Sequence, residues 1–430
     1  MILIRFLLWI SLIILQLGCQ HPVDTSTEVP PELAQLLEAR SYFELEKALA
    51  HYEAGLPPEQ YAYYQAALHN FFHRPQASIV VIEKVLAESP TALPDSAAAD
   101  LLKLQIDNYN KTFQYAQSAK TFRQLLTSYA SALDIAERAD LENTRQLWEA
   151  LAEVPPQQVF KARETTLSWR RDQVNLMNVP VRVDSTAYEF ILDTGANLST
   201  IREGFAQELG WSILKTSFQL GSSIEQDVTA SLAVADSLYL GGILVTNVVF
   251  LVLTDEQLSF PQVDYTINTI LGFPVMDQLQ ELRIRQDGTL TIPAQPTPRN
   301  LHNMGLDVLT PIVRLALQCD TLLFKFDTGA VDTELFARYF RQHQPWITQQ
   351  GRPDTVTRGG AGGTSQTEVY IVDSLTFSVG DQQAVVPEIS ILVDTVDSFD
   401  EHYYGNIGQD LIGQFDELIL NFEHMYLAFE

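Results

Sequence analysis

Cysteine is scarce: Cys19 and Cys319 are the only two in 430 residues, and no CxxC pair is present. Basic residues are also few, 27 Lys and Arg against 54 Asp and Glu, for a formal net charge of -27. A chain this acidic is repelled by phosphate backbones, so nucleic acid is excluded as a partner and the charge serves solubility. After the first residues no segment is apolar for long enough to span a bilayer. There is no P-loop, no GxGxxG following a strand and no low-complexity tract. What remains is a globular composition, 46% hydrophobic and 19% charged. It is enough for two to four domains, each with its own core.

Residues 1–18, MILIRFLLWISLIILQLG, hold one Arg and then an apolar run that stops before Cys19. That is a secretory h-region followed by a small residue, too short and wrongly flanked for a transmembrane helix. The ending resembles a bacterial lipoprotein signal, with Gln16 where that pattern prefers an aliphatic residue. The resemblance implies that Cys19 carries lipid and that the protein is exported and membrane-anchored, on the periplasmic or cell-surface side. A plain signal peptide with secretion, or an uncleaved anchor, is the alternative. A lipidated Cys19 leaves Cys319 alone, so no disulfide staple is expected. The layout begins with a signal peptide over 1–18 and a polar, Pro-containing linker over 19–33.

Residues 34–155 read as helical. ELAQLLEARSYFELEKALAHYEAG places apolar residues at helical spacing and stops at Gly55. Two later segments look alike: Ser78, Ile82, Val85 and Leu86 match Ser118, Phe122, Leu125 and Leu126. This suggests two tetratricopeptide-like hairpins, or else an ordinary helical bundle, with a protein partner as a possible role. At Val154-Pro155-Pro156 the composition changes abruptly, so the module is expected to fold apart from the remainder of the chain.

From residue 158 the chain runs in short alternating segments rich in Val, Ile, Thr, Phe and Tyr, broken by Gly and Asn. That is strand-and-turn patterning. The region is an internal duplication. NVPVRVDSTAYEFILDTGANLST parallels TPIVRLALQCDTLLFKFDTGAVDT. Asp193, Asp236 and Gly272 recur as Asp327, Asp373 and Gly408, at offsets of 134, 137 and 136 residues. Near-constant spacing of three landmarks implies two homologous all-β lobes, over 156–300 and 301–430.

Each lobe carries Asp-Thr-Gly after an apolar run, with Ala after the Gly and a hydroxyl residue three beyond it (Ser199, Thr333). A lone tripeptide is weak; two copies at equivalent places are not. Gly195 and Gly329 permit close backbone approach and sharp turns. Thr194 and Thr328 can each donate and accept, so facing threonines can lock two loops together. Two carboxylates brought together share one proton, and such a pair can both take and give one. These residues resemble the aspartic protease superfamily of pepsin-like and retroviral-type enzymes, over residues 160–430. The resemblance implies an aspartic endopeptidase with Asp193 and Asp327 as its dyad. It implies an extended peptide substrate between the lobes, and neither metal nor organic cofactor. It further implies an apolar-apolar-Gly beneath each loop, filled by Ile270-Leu271-Gly272 and by Asn406-Ile407-Gly408, where Asn departs from the rule.

A flap hairpin is also implied. Candidates are Gly221, Ser222 and Ser223 in lobe one and Gly359, Gly360, Gly362 and Gly363 in lobe two, with no Tyr in the first as a pepsin-like flap would have. The rival readings are Asp side chains that merely cap turns, and a retained fold that binds peptides without cleaving them. His69 and His73 stand at helical zinc-pair spacing, but HNFFH lacks the Glu after the first His, so they read as helix-surface residues.

Overall fold

A computed structural model describes residues 30–88, 93–220, 228–360 and 363–430. Cys19, Gly221, Ser222, Ser223 and Gly362 lie outside the described residues. An N-terminal helical layer is followed by a β-rich body.

Among the described residues seven α-helices make the layer: α1 (Pro31–Glu38), α2 (Tyr42–Tyr52), α3 (Pro58–Phe71), α4 (Pro75–Glu88), α5 (Asp95–Lys111), α6 (Tyr115–Ser128) and α7 (Ile135–Ala150). They form hairpins with one recurring joint. Arg40, His73 and Phe113 each take a left-handed backbone, at φ of 51°, 53° and 57°. After each, the next amide donates back into the last turn: Ser41 N to Leu36 O, Arg74 N to His69 O and Gln114 N to Tyr109 O, at 2.7–2.8 Å. This is the six-to-one closure that usually falls to glycine. The sequence pattern of ELAQLLEARSYFELEKALAHYEAG suggested one helical stretch stopping at Gly55; the structure breaks it at Arg40. The matched Ser78 and Ser118 are both fully buried. Ser78 Oγ donates to Ala66 O and accepts from Asn108, tying one hairpin to the next.

The β body carries the duplication in its topology. In lobe one, Met177–Val183 and Thr186–Asp193 form a hairpin, and Thr269–Gly272 runs parallel to the second strand with Gly272 opposite Asp193. In lobe two, Thr310–Leu317 and Asp320–Phe326 form the equivalent hairpin, with Gly405–Ile407 parallel to it. A five-stranded sheet joins the lobes: Thr165–Ser168, Thr289–Ile292, Glu281–Arg285, Glu417–Asn421, Tyr426–Phe429. The first three strands come from one repeat and the last two from the other. At its centre Arg283 faces Ile419, its own counterpart 136 residues on, so the pseudo-two-fold axis of the duplication passes there.

The helical layer does not stand apart, contrary to the expectation from composition. Ala99, Leu102, Phe113, Phe122, Leu147 and Trp148 share one apolar core with Ile191, Phe218, Val249, Leu258 and Ile270 of lobe one. Phe43, Leu68 and Phe71 share another with Ile312, Leu323, Phe336 and Tyr403 of lobe two. Gly305 fits under the Phe71 ring, where a Cβ would stand 2.1 Å from Cε1. Lys111, its side chain 1% exposed, pairs with Asp107 at 2.8 Å and also donates to Asn70 O, Asn70 Oδ1 and Leu306 O. Pro155-Pro156 thus marks a change of secondary structure, and apolar cores on both sides of it are shared between helices and lobes.

Two outcomes are expected from this packing. Helical circular dichroism and tryptophan fluorescence should report one coincident unfolding transition, and limited proteolysis near residue 155 should release no stable β body; a first transition that melts helices alone would contradict the shared core. Lys111→Ala leaves Asp107 and three buried acceptors without their cation and should lower stability by about 3 kcal/mol in denaturant titration.

Candidate active site

Both aspartates end a strand and open a tight turn. Asp193 follows Phe190, Ile191 and Leu192, all buried, so the strand is anchored on both faces up to the carboxylate. Asp327 follows Phe324 and Phe326, which are buried on one face of their strand, with half-buried Lys325 on the other. The turns then cross. Thr194 N donates to Thr328 Oγ1 at 3.0 Å, and Thr328 N donates to Thr194 Oγ1 at 3.0 Å. Thr194 Oγ1 donates to Phe326 O and Thr328 Oγ1 to Leu192 O, both at 2.9 Å. Both threonines are fully buried. Each hydroxyl is donor and acceptor at once, which only Ser or Thr can do at this size.

The glycines set the spacing of the carboxylates. A Cβ on Gly195 would lie 2.5 Å from Asp327 Cγ, and one on Gly329 would lie 2.3 Å from Asp193 Cγ. Each carboxylate therefore rests against the opposite lobe's glycine, and any side chain there would drive the pair apart. Beneath the turns, Gly272 and Gly408 are needed for the same steric reason. Their missing Cβ atoms would meet backbone at 2.7 Å (Ala196 O, Leu198 C, Ser199 N) and 2.6 Å (Asp332 C and O). The repeated hydroxyl now has a role: Gly272 N donates to Ser199 Oγ and Gly408 N to Thr333 Oγ1, each at 3.0 Å.

The carboxylates are not equivalent. Asp193 Oδ1 accepts from Gly195 N at 2.8 Å and Ala196 N at 3.1 Å. Asp327 Oδ1 accepts from Gly329 N at 2.8 Å, and its Oδ2 from Asn406 Nδ2 at 3.3 Å. Burial, and then the charge of Asp327, push the Asp193 carboxyl well above the ordinary carboxylate range. A buried pair in which one member keeps its proton can act as acid and base together.

Sequence reasoning did not foresee Asn406 on the carboxylate. Nor did it foresee Gln409, which is buried and donates from Nε2 to Thr328 O at 2.8 Å while accepting from Arg171 of lobe one at 3.0 Å. The odd Asn in place of an apolar residue was the only sequence signal for either. Of the flap candidates, Gly359 and Gly360 end strand Arg352–Gly360 and Gly363 begins Gly363–Val379, with Gly360 paired to Gly363. This hairpin reaches lobe one, since a Cβ on Gly359 would lie 3.8 Å from the Phe260 ring. None of these three glycines hydrogen-bonds either carboxylate. In lobe one, Ile213–Leu220 and Val228–Leu240 are the arms of the corresponding hairpin. Among the described residues no group of three or more His, Cys, Asp and Glu side chains could hold a metal ion.

A family model described as an aspartyl protease matches residues 179–275. The match takes in Asp193-Thr194-Gly195 and Ile270-Leu271-Gly272 of lobe one. A search of curated proteins found no match.

The threonine lock has a direct test. Thr194→Val keeps the shape but leaves the buried Thr328 N and Phe326 O without their partner. It should lower stability by about 1–3 kcal/mol in denaturant unfolding. A change below about 0.5 kcal/mol would mean that the crossing bonds do not hold the lobes.

Proposed function

We propose, supported by the match of residues 179–275 to an aspartyl protease family model, that the protein is an aspartic endopeptidase whose dyad is Asp193 and Asp327. The observation that carries the reading is the crossing of the two turns, which sets each carboxylate against the other lobe's glycine. A substrate peptide lies extended between the lobes. The ionised carboxylate takes a proton from water as the water oxygen attacks the scissile carbonyl carbon. The protonated carboxyl gives its proton to the carbonyl oxygen. Collapse of the tetrahedral intermediate breaks the C–N bond: the proton taken from water passes to the leaving nitrogen, and a hydroxyl of the intermediate returns its proton to the other carboxylate as the C=O re-forms. The dyad ends with one proton, as it began. Shared-proton behaviour of this kind is well known in aspartic proteases, and the raised Asp193 carboxyl fits it.

The same reading makes the protein an exported lipoprotein. The support is the apolar run ending at Gly18-Cys19. The anchor would then hold the peptidase at a membrane surface, with the helical hairpins available to a protein partner.

The sign of the pH dependence is set by the proton count. Activity requires one proton on the pair. Because Asp193 holds its proton above the ordinary range, activity should persist beyond that range and fall as pH rises through the raised Asp193 value. Asp193→Asn and Asp327→Asn should each lower peptide hydrolysis by about 10³-fold or more, and the double variant should be little worse, because groups acting as a unit are not additive. Hydrolysis of a mixed peptide library from acid to neutral pH is the measurement. If either single variant keeps wild-type turnover, the dyad is wrong; if the wild type binds peptides without cleaving them, it is a peptide-binding protein. Mass spectrometry of the mature N-terminus decides the anchor, since an unmodified start away from Cys19 would remove it.

A further inference from the structure

The two halves of the site differ at three paired strand positions beside the aspartates. In lobe one, Ile270 lies opposite Ile191 on one side and Thr200 on the other. In lobe two, Asn406 lies opposite Lys325 and Glu334. The positions correspond at offsets of 134 to 136 residues, the spacing of the duplication. The strands beside Asp193 thus present two isoleucines and one threonine, and those beside Asp327 three polar residues, two of them charged.

Asn406 is 8% exposed, and its Oδ1 has no hydrogen-bond partner. A buried amide that leaves its acceptor unused destabilises a fold relative to an apolar residue of the same shape. Packing therefore does not explain its presence. The bond it does make runs from Nδ2 to Asp327 Oδ2. With Gly329 N on Oδ1, both oxygens of Asp327 are occupied by donors. Asp193 receives its two backbone donors on Oδ1 alone, and its side chain hydrogen-bonds that of Asp327.

We propose that Asn406 is a positioning residue that keeps Asp327 ionised and leaves the shared proton on Asp193, so that Asp327 is the base toward water and Asp193 the acid toward the carbonyl. A donor on a carboxylate favours its charged form. The other charges around Asp327 are largely matched. Lys325 pairs with Asp400 at 2.9 Å and Arg358 with Glu334, while Asp410 accepts from Thr333. Asp332, held up by burial, and Arg171, bonded to Gln409, are the remaining groups on the adjoining elements. The inference deepens the peptidase reading, and it rests on that reading only for the kinetic arm of its test.

The test is a pH titration of the full chain labelled with ¹³C at the aspartate carboxyls, the two resonances being assigned by their loss in Asp193→Asn and Asp327→Asn. Asp327 should ionise at the lower pH. In Asn406→Ile, which copies Ile270, its ionisation should move up by about one pH unit. In Ile270→Asn the preference between the two should shrink or reverse. If Asn406→Ile does not fold, Asn406→Leu, close to Asn in size, replaces it. Asp193 ionising first, or an Asn406 variant that shifts neither resonance, would overturn the proposal. In the kinetic arm, the acid edge of kcat/KM should move to higher pH in the same variant, because removing the donor makes the base easier to protonate. A residue that only braced the fold would lower activity without moving that edge. The expected titration in a chain without peptidase activity would leave the assignment standing and remove the peptidase reading alone.

Discussion

The structure depends on one reciprocal contact, the crossing of two Asp-Thr-Gly turns. Four hydrogen bonds through Thr194 and Thr328 hold backbones that are 134 residues apart in sequence. They place two acidic side chains in one buried space, where their mutual repulsion opposes folding. That opposition is relieved by a shared proton and by backbone donors on Oδ1 of each carboxylate. The glycines are the geometric condition for the contact, because each leaves the volume that the other lobe's carboxylate fills. Removing any one part leaves the others unsatisfied, so the four residues beside the aspartates act as a unit.

The rest of the chain holds the lobes at the spacing this contact requires. The five-stranded sheet joins them covalently and by hydrogen bonds about the same pseudo-two-fold axis. The helical layer adds a second constraint. Ile191 and Ile270, which frame Asp193, share their apolar core with Phe122, Leu147 and Trp148. The layer thus braces the lobe-one wall from behind. On lobe two it packs through Phe43 and Phe71 onto Ile312 and Leu323, and Lys111 ties it to Leu306 O. A helical segment that contacts both lobes resists their sliding or opening along that side.

The aspartates, their threonines and their glycines could be read from the chain because the duplication repeats them in register, and repetition is a signal that survives without a structure. The hairpin at Asp184 and the two-lobe organisation were legible for the same reason. Three features were not. Composition located a boundary at Pro155-Pro156, but an amphipathic helix does not say what covers its apolar face, so the shared cores stayed hidden. The joint at Arg40 was missed because a left-handed residue there is Arg and not Gly. The contact of Asn406 was missed because an apolar-to-polar change marks a position as odd without saying what it touches.

That oddity bears on how a duplicated site comes to do directional chemistry. Two identical halves would give two identical carboxylates, and a proton shared between equals has no preferred seat. Catalysis by a dyad needs one acid and one base at the moment water attacks. A freely exchanging proton would leave the correct arrangement populated for only part of the time. Changing a frame residue is a small step that need not disturb the lock, because residues 191, 200 and 270, and their counterparts 325, 334 and 406, lie outside the crossing bonds. In this chain all three frame positions of lobe two are polar, and the two charged ones are matched by Asp400 and Arg358, so the frame departs from apolar without leaving a bare charge beside the dyad. Asn406 alone is uncharged and half-satisfied, and it alone touches the carboxylate. The symmetry that assembles the site is thus broken at a neutral donor, which can bias the proton without adding a competing charge to it.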